Sequence, residues 1–333
     1  MNSALTCKVK YAPEEFTALP EDYYKDGEND TEEVSYLVSC WRRLSENKIA
    51  MVSLAVIVLV VIFAVIGPML LPYTYDQQIR GEENLWPCPM HPFGTDRLGR
   101  DLLVRCMIGT RISLVVGTIS AVIVLMIGSA YGSIAGLAGG KTDMIMMRLA
   151  EIIYSVPEIL LIIVIKLVID EPLTNLIDTN PLFQPLQKIG SGLIAIFIVY
   201  GCLYWVGMAR IVRGQVLQLK QQEYISAADA LGASKKWLIL QHLIPNCIGQ
   251  LVATTMLQIP SAIFTEAFLS FLGMGVSAPM ASLGSLTSDA LAGINKAPYR
   301  MFFPALIISL IILCFNLFGD GLRDALDPKM KKR

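Results

Sequence analysis

The fold is decided by residues 112–137, which read ISLVVGTISAVIVLMIGSAYGSIAGL. No charged residue occurs between Arg111 and Lys141. About 20 apolar residues, each rising about 1.5 Å along an α-helix, span a hydrocarbon layer about 30 Å thick. This run therefore predicts a helix that crosses a lipid bilayer.

On either side of this run the chain contains five more of the same kind, of which one is weaker. Glu151, Glu158 and Lys166 interrupt the run at 149–169. The composition agrees with a membrane protein, since the 333 residues are 54% hydrophobic and 17% charged, whereas a soluble domain carries roughly a quarter charged residues. The runs predict an all-α, polytopic membrane protein with six transmembrane helices, the other five at 49–71, 149–169, 191–208, 247–268 and 301–318.

The charges and reactive side chains exclude several functions. A net charge of −1 provides no basic field for nucleic acid. The seven cysteines and two histidines lack the spacing of metal ligands, Cys88 with His91 included, so we expect no metal and no cofactor. No nucleophile–base pair indicates a catalytic residue. Residues 135–142, AGLAGGKT, come close to a phosphate-binding loop, but Ala135 stands where glycine is needed and a membrane helix, not a strand, precedes it.

Lysines and arginines indicate the orientation of the chain. If both termini are cytoplasmic, the cytoplasmic segments contain 18 of the 27 basic residues. The positive-inside rule therefore predicts two cytoplasmic termini, with a basic tail at 321–333. The segment 72–111 is then extracytoplasmic, and 112–320 forms the core transmembrane domain with one long cytoplasmic loop at 210–245.

The N-terminal region differs in composition from the rest of the chain. Residues 1–40 contain nine acidic residues and three lysines, which is typical of a flexible cytoplasmic extension rather than a secretory signal. A helix is expected from Asp30 onward, with an apolar stripe that includes Trp41 and Leu44. The segment 41–71 is interpreted as an interfacial lead-in followed by the first span; an amphipathic turn without membrane contact is the alternative.

The extracytoplasmic segment ends in a run of alternating charges. Thr95 can cap a helix, and oppositely charged residues four apart favour one. A short helix before the second span is therefore expected, either as a surface for a partner or as a structural lead-in. The pairs are Asp96–Arg100, Arg97–Asp101 and Asp101–Arg105.

The cytoplasmic loop has the pattern of two short helices separated by a break. Gly232 is suited to end the first helix, because glycine adopts positive φ without strain, and Ser234 can cap the second. Pro245 fits the first turn of the fifth span, where its missing N–H costs little. Four alanines give the first helix little bulk, which favours docking in a groove of a cytoplasmic protein; they are Ala227, Ala228, Ala230 and Ala233.

This loop resembles the coupling loop of binding-protein-dependent ABC importer permeases. That family's signature is Glu-Ala-Ala, three residues, Gly, nine residues, then Ile-x-Leu-Pro, and Gly232 and Pro245 stand here at the matching spacing. Ser226 replaces the signature's Glu, for which Glu223 is a possible substitute, and His242 and Ile244 replace its Ile and Leu. The resemblance implies contact with an ATPase by Glu223, Ser226, Ala227, Ala228, Gly232, Ala233, Ser234 and Pro245.

Four further segments resemble the second permease subunit of dipeptide and oligopeptide importers. They are 41–48 (WRRLSENK), 93–101 (FGTDRLGRD), 269–276 (LSFLGMGV) and 315–328 (FNLFGDGLRDALDP). The resemblance implies a type I ABC importer transmembrane domain in a bacterial plasma (inner) membrane. The implied partners are a sister permease in a heterodimer, two ATPase subunits, an extracytoplasmic substrate-binding protein, membrane lipid and a peptide substrate. Nickel or another small solute is an alternative substrate, and an ion-coupled secondary carrier is the alternative class.

One ionisable residue lies inside a predicted span. Glu266 is the only charge between Asn246 and Ser288, about 20 residues or roughly 30 Å from the start of the fifth span. A carboxylate facing lipid is costly, so we expect it to face the bundle interior, a water-filled vestibule or a cation. Lys166 is the expected partner. The pair would either fix the outer ends of two helices or line an outer gate of the translocation path.

Overall fold

A computed structural model describes residues 36–179, 191–275 and 280–326, and these are nearly all helical. The chain divides into two compact units, Met1–Arg42 and Arg43–Arg333. The predicted Asp30 cap and most of the acidic extension lie outside the described residues, as do the last seven residues of the basic tail. The first unit is described only over 36–42, which is helical.

The described residues form thirteen α-helices and one π-helical segment. Their only pairing of extended backbone is an isolated bridge between Thr95 and Asp101. In chain order the elements are α1 Tyr36–Glu46, α2 Lys48–Val65, α3 Gly67–Leu70, α4 Leu102–Ala138, α5 Gly140–Ser155, α6 Glu158–Thr179, α7 Ser191–Leu203, α8 Trp205–Leu219, α9 Glu223–Ala230, α10 Lys235–Leu238, the π segment Ile239–Leu243, α11 Ile244–Phe271, α12 Leu283–Leu291 and α13 Tyr299–Leu326.

The predicted all-α membrane architecture is confirmed. Within the described ranges, five helical stretches are long and apolar enough to cross a membrane, and a bent pair of helices makes a sixth if it counts as one span. The five are Lys48–Val65, Leu102–Ala138, Ser191–Leu219, Lys235–Phe271 and Tyr299–Leu326. The predicted runs at 112–137, 191–208, 247–268 and 301–318 lie inside longer helices, because capping residues and adjoining turns extend each helix beyond its apolar part.

The prediction of one helix over 149–169 for the third span is wrong. The structure instead has two helices, Gly140–Ser155 and Ile159–Thr179, bent by 89° at the break between them. Val156 at the break is extended, with φ −87° and ψ 139°. The cause is Pro157, which has no N–H to donate and disfavours helical geometry in the residue before it.

A row of glycines allows α4 and α8 to pack closely. Gly128, Gly132 and Gly136 stand four residues apart on one face of α4. A Cβ atom on Gly132 would lie 2.4 Å from the carbonyl oxygen of Ala209 and 2.9 Å from Cβ of Val212. Small residues at this spacing let two membrane helices approach backbone to backbone. The Gly-x3-Gly-x3-Gly spacing is a signal in the sequence that was not used above.

Polar contacts brace the ends of the same helices that adjoin the loop 210–245. Lys220, which follows α8, donates to the carbonyl oxygen of Leu137 at 2.8 Å, near the C-terminus of α4. Arg213 of α8 makes a two-point ion pair with Asp143 of α5, at 2.5 and 2.6 Å. The loop 210–245 therefore leaves α8 from a fixed position.

Candidate functional site

The turn between α9 and α10 has the predicted caps. Gly232 adopts φ +84°, and two hydrogen bonds close the end of α9, from Ala233 N–H to the carbonyl of Ala228 at 3.1 Å and from Gly232 N–H to that of Asp229 at 3.0 Å. This is the Schellman arrangement, which requires a residue tolerant of positive φ. Ser234 then caps α10, accepting from Trp237 N–H at 3.3 Å.

The buried side of the loop 210–245 is anchored in the core formed with the membrane helices. Ile225, Leu238 and Leu243 are at most 2% exposed and belong to one apolar cluster with residues of the membrane helices. Ala228 and Ala233 pack against the same cluster. These two alanines, which were expected in a docking surface, therefore contact the chain's own core. Ala228 lies three residues after Ile225 on the same face of α9, and the turn holds Ala233 next to Ala228.

The opposite side of the loop presents large apolar side chains to the surroundings. Leu231, at the tip between α9 and α10, is 90% exposed. Tyr224, Trp237 and Leu240 are between 44% and 57% exposed. None of these four was predicted as a site residue, because the sequence does not separate them from the apolar residues of the loop that are buried, such as Ile225 and Leu238. We call this set, Tyr224, Leu231, Trp237 and Leu240, the apolar tip.

The other predicted loop residues surround the apolar tip. Glu223 and Ser226 are exposed and stand three residues apart in α9, so their side chains are neighbours on one helix face. A carboxylate at 223 therefore lies beside the position where the family signature has Glu. The remaining exposed positions are Ala227, Gly232, Ser234 and Pro245.

The loop continues directly into the helix of the fifth span, whereas the sequence predicted that this helix begins near Pro245. The helical run extends from Lys235 to Phe271. A π turn permits this, because the N–H of Ile244 donates to the carbonyl of Ile239, five residues earlier, and the bulge relieves the crowding that Pro245 would otherwise cause. His242 in this turn packs edge-on against Trp237, with ring centroids 4.7 Å apart.

Glu266 lies in a buried polar cluster between three helices. Its side chain is fully buried and accepts hydrogen bonds from Ser270 at 2.7 Å and from Ser113 of α4 at 3.3 Å. The hydroxyl of Ser282, the N-cap of α12, lies 3.3 Å from that of Ser270. The predicted partner Lys166 is also buried, but the ion pairs within 4 Å of the described side chains do not include a Lys166–Glu266 pair.

The segment before α4 is a cross-linked loop rather than the predicted helix. Of the three predicted pairs only Asp96–Arg100 forms among the described side chains, with Arg100 Nε 2.7 Å from Asp96. Arg105 also pairs with Asp96, and Asp101 caps α4 through Val104 N–H at 2.8 Å. Burial raises the pKa of Asp96, but the N–H of Arg100 and the charge of Arg105 lower it more, so its pKa is below the usual value.

A histidine completes this loop. His91 is buried, with its ring nitrogens 2.7 Å from a carboxylate oxygen of Asp101 and 3.2 Å from one of Glu82. The loop is fastened to α13 by the Tyr299 hydroxyl, which donates to the carbonyl of Thr95 at 3.0 Å. Within the described ranges no group of three or more His, Cys, Asp or Glu is arranged to hold a metal ion.

Comparison with known proteins places these features in context. Residues 128–332 match the family described as binding-protein-dependent transport system inner membrane component, and residues 35–87 match the N-terminal transmembrane domain of oligopeptide transport permease C. The chain is 44% identical to an oligopeptide transport system permease protein of Bacillus subtilis, over 91% of this chain and 94% of that protein. It is 41% identical to a dipeptide transport system permease protein of the same organism, over 96% and 97% of the two chains. An Escherichia coli oligopeptide permease is 41% identical, over 86% and 89%.

Proposed function

Since the chain belongs to the family of binding-protein-dependent inner membrane transport components, among the oligopeptide and dipeptide permeases, we propose that it forms half of the translocation path of an ATP-driven peptide importer. The loop 223–245 couples this path to a separate ATPase subunit. Peptide is favoured over nickel or another small solute because the relatives named above are peptide permeases.

The apolar tip is the observation that carries the coupling role. Burying one leucine side chain stabilises an interface by roughly 1.5–3 kcal/mol, and Leu231 is 90% exposed at the end of a rigid turn. The other side of the loop is anchored in the core. A partner that binds the apolar tip and then moves will therefore also move the helices that pack against the loop. Glu223 supplies the polar contact that the signature assigns to the position of Ser226.

The chain's architecture supports a mechanical role rather than a catalytic one. The near-miss phosphate loop at 135–142 is a junction between α4 and α5, with a membrane helix instead of a strand before it to aim N–H groups at phosphates. ATP is therefore hydrolysed on partner subunits. When these close, they pull on α9 and α10, and the continuous helix from Lys235 to Phe271 transmits the movement into the membrane, where the path alternates between two states.

The remaining partners are inferred from the family, and the side of the membrane on which each one binds is inferred from the orientation that the basic residues favour. With both termini cytoplasmic, the loop at 72–101 faces the extracytoplasmic substrate-binding protein. The charges of Asp96 and Asp101 in that loop and of Arg105 in the first turn of α4 are buried and stabilise the loop. Arg97 and Leu98 are exposed and available for contact. A sister permease completes the heterodimer, and two ATPase subunits complete the machine.

Glu266 has a structural role in this proposal. Its carboxylate is fully buried and bound by serines on α4 and α11, one of which contacts the cap of α12. A gate residue must meet the passing substrate, and a fully buried carboxylate does not. Glu266 thus holds three helices together near the outer end of α11, and Lys166 acts on it at longer range.

Uptake by the reconstituted complex tests the coupling role. The complex contains this chain, the sister permease, two ATPases and the binding protein in proteoliposomes. We expect Gly232→Trp to abolish ATP-driven peptide uptake while membrane insertion is retained, since a tryptophan at the turn blocks docking. Gly140→Trp is the matched control, because Gly140 is also exposed, has a positive φ of +53° and would have no atom within 4 Å of an added Cβ, but lies outside the loop.

Two outcomes would contradict the proposal. Normal uptake by the Gly232→Trp complex would show that the loop does not dock on the ATPase. Uptake by this chain without any ATPase, driven by an ion gradient, would place it among secondary carriers.

A further inference from the structure

A break in the membrane helices, at Val156–Pro157, lies beside a pair of adjoining cavities. One cavity, of about 460 Å³, lies between the break at Val156–Pro157 and the junction of α7 and α8 at Tyr204. The second, of about 400 Å³, lies between α11 and α13. Tyr204 and Gln258 line both cavities. Backbone that leaves helical geometry at membrane depth is tolerated where it lines a cavity, and such breaks accompany substrate sites in transporters.

The cavities lie near the middle of the spans. Tyr204 has 13 residues of the run Ser191–Leu219 before it and 15 after it. Gln258 has 14 residues of α11 before it and 13 after it. Tyr204 is therefore roughly 20 Å from either end of its helical run, and Gln258 roughly 20 Å from either end of α11, at a depth where a polar side chain needs a partner.

The lining is polar without being charged. None of the described residues that line either cavity is Asp, Glu, Lys or Arg. The Tyr204 hydroxyl lies 3.1 Å from that of Thr265, which in turn bonds to the carbonyl of Ser261 at 3.0 Å. The amide side chains of Gln258 and Asn316 make no hydrogen bond to another described residue, which is costly in a membrane unless water or a ligand satisfies them.

We propose that the two cavities form one subsite in the middle of the translocation path, where Gln258 and Asn316 bind the main-chain amides of a peptide. The inference rests on the proposed peptide-importer function. A carboxamide both donates and accepts, as a peptide group does, so each can form paired hydrogen bonds with the substrate backbone. An uncharged lining holds acidic, basic and neutral peptides alike, and therefore does not trap one class on its way through.

Photocrosslinking in the reconstituted complex tests the contact directly. A benzophenone amino acid replaces Gln258, and the complex is illuminated with radiolabelled trialanine, binding protein and ATP. We expect label on this chain. The control carries the same amino acid at Leu59, which is 63% exposed on α2 and lines neither cavity, and should remain unlabelled. Absence of label at 258, or equal label at both positions, overturns the subsite.

A charge placed in the subsite should change the relative uptake of acidic and neutral peptides, which a purely structural role of Gln258 would not do. In Gln258→Glu, uptake of an acidic tripeptide should fall relative to trialanine by about fivefold, the effect of one like charge at about 4 Å even in bulk water. A basic tripeptide should not be disfavoured. An unchanged ratio of acidic to neutral uptake overturns the subsite while leaving the proposed function intact. Absence of ATP-driven uptake by the unaltered complex instead removes the proposed function, and the subsite with it.

Discussion

Replacing Gly132 by alanine tests the close packing of α4 against α8. The new Cβ would lie 2.4 Å from the carbonyl oxygen of Ala209. Neither that atom nor Cβ of Val212, at 2.9 Å, is the end of a flexible side chain, so the two helices must separate locally. Overpacking of this kind costs about 2 kcal/mol.

A second effect acts in the opposite direction. Alanine in a helix is favoured over glycine by about 1 kcal/mol, because glycine loses more backbone entropy on folding. The net loss for Gly132→Ala is therefore about 1 kcal/mol. Gly214→Ala is the matched control: Gly214 lies in α8, and a Cβ there meets nothing within 4 Å. That variant should gain about 1 kcal/mol.

The two variants are compared by thermal unfolding in detergent, followed by circular dichroism at the helical band. A difference of about 2 kcal/mol corresponds to a difference in Tm of about 3 °C for a chain of this size. Gly132→Ala should melt below the unaltered protein and Gly214→Ala at or above it. If both variants melt at the same temperature, the inferred backbone-to-backbone approach of α4 and α8 is wrong.

Three more perturbations probe other parts of the chain. Asp96→Asn removes the anionic partner of Arg105, and breaking a buried pair costs about 3 kcal/mol at pH 7. The folded-state pKa of Asp96 is lowered. The stabilisation is therefore present above its unfolded pKa of about 3.9 and is lost as the pH falls through the folded-state pKa. The difference in Tm between the two proteins should therefore be smaller at pH 3 than at pH 7, and an equal difference at both pH values would contradict this. Glu266→Gln should leave uptake by the reconstituted complex normal, whereas lost uptake with a normal Tm would indicate a gate. In a background without the native cysteines, a membrane-impermeant thiol reagent should label Asn295→Cys but not Asp229→Cys in intact cells, and the reverse labelling would invert the orientation.

The parts of the fold that depend on local chemistry could be predicted from the sequence. Charge-free runs identify the spans because the bilayer imposes one length and one polarity on every crossing. The caps at Gly232 and Ser234 were also predictable, since each depends on the residue itself and its immediate neighbours. The break before Pro157 follows from the same kind of local rule, but the hydropathy of the run around it favours a single helix.

The contacts that join distant segments could not be predicted. Spacing of four residues suggested an Asp101–Arg105 pair, yet Asp96 binds Arg105 because the chain folds back between them. Glu266 was expected beside Lys166 from helix depth alone, and only the packing of α4 against α11 brings Ser113 to it instead. Likewise, Ala228 turns inward because α9 lies on the core, which its composition does not reveal.

The π turn at Ile239–Leu243 makes the direction of the apolar tip depend on a single residue. A π turn contains one residue more than the α-helical turn it replaces, and each residue rotates an α-helix by about 100°. Removing one residue from this turn would convert it to an α-helix and swing Leu231 about a quarter of the way around the axis of α11. The helices on either side of the turn would keep their structure. The apolar tip, however, would no longer face the surface that it is proposed to contact.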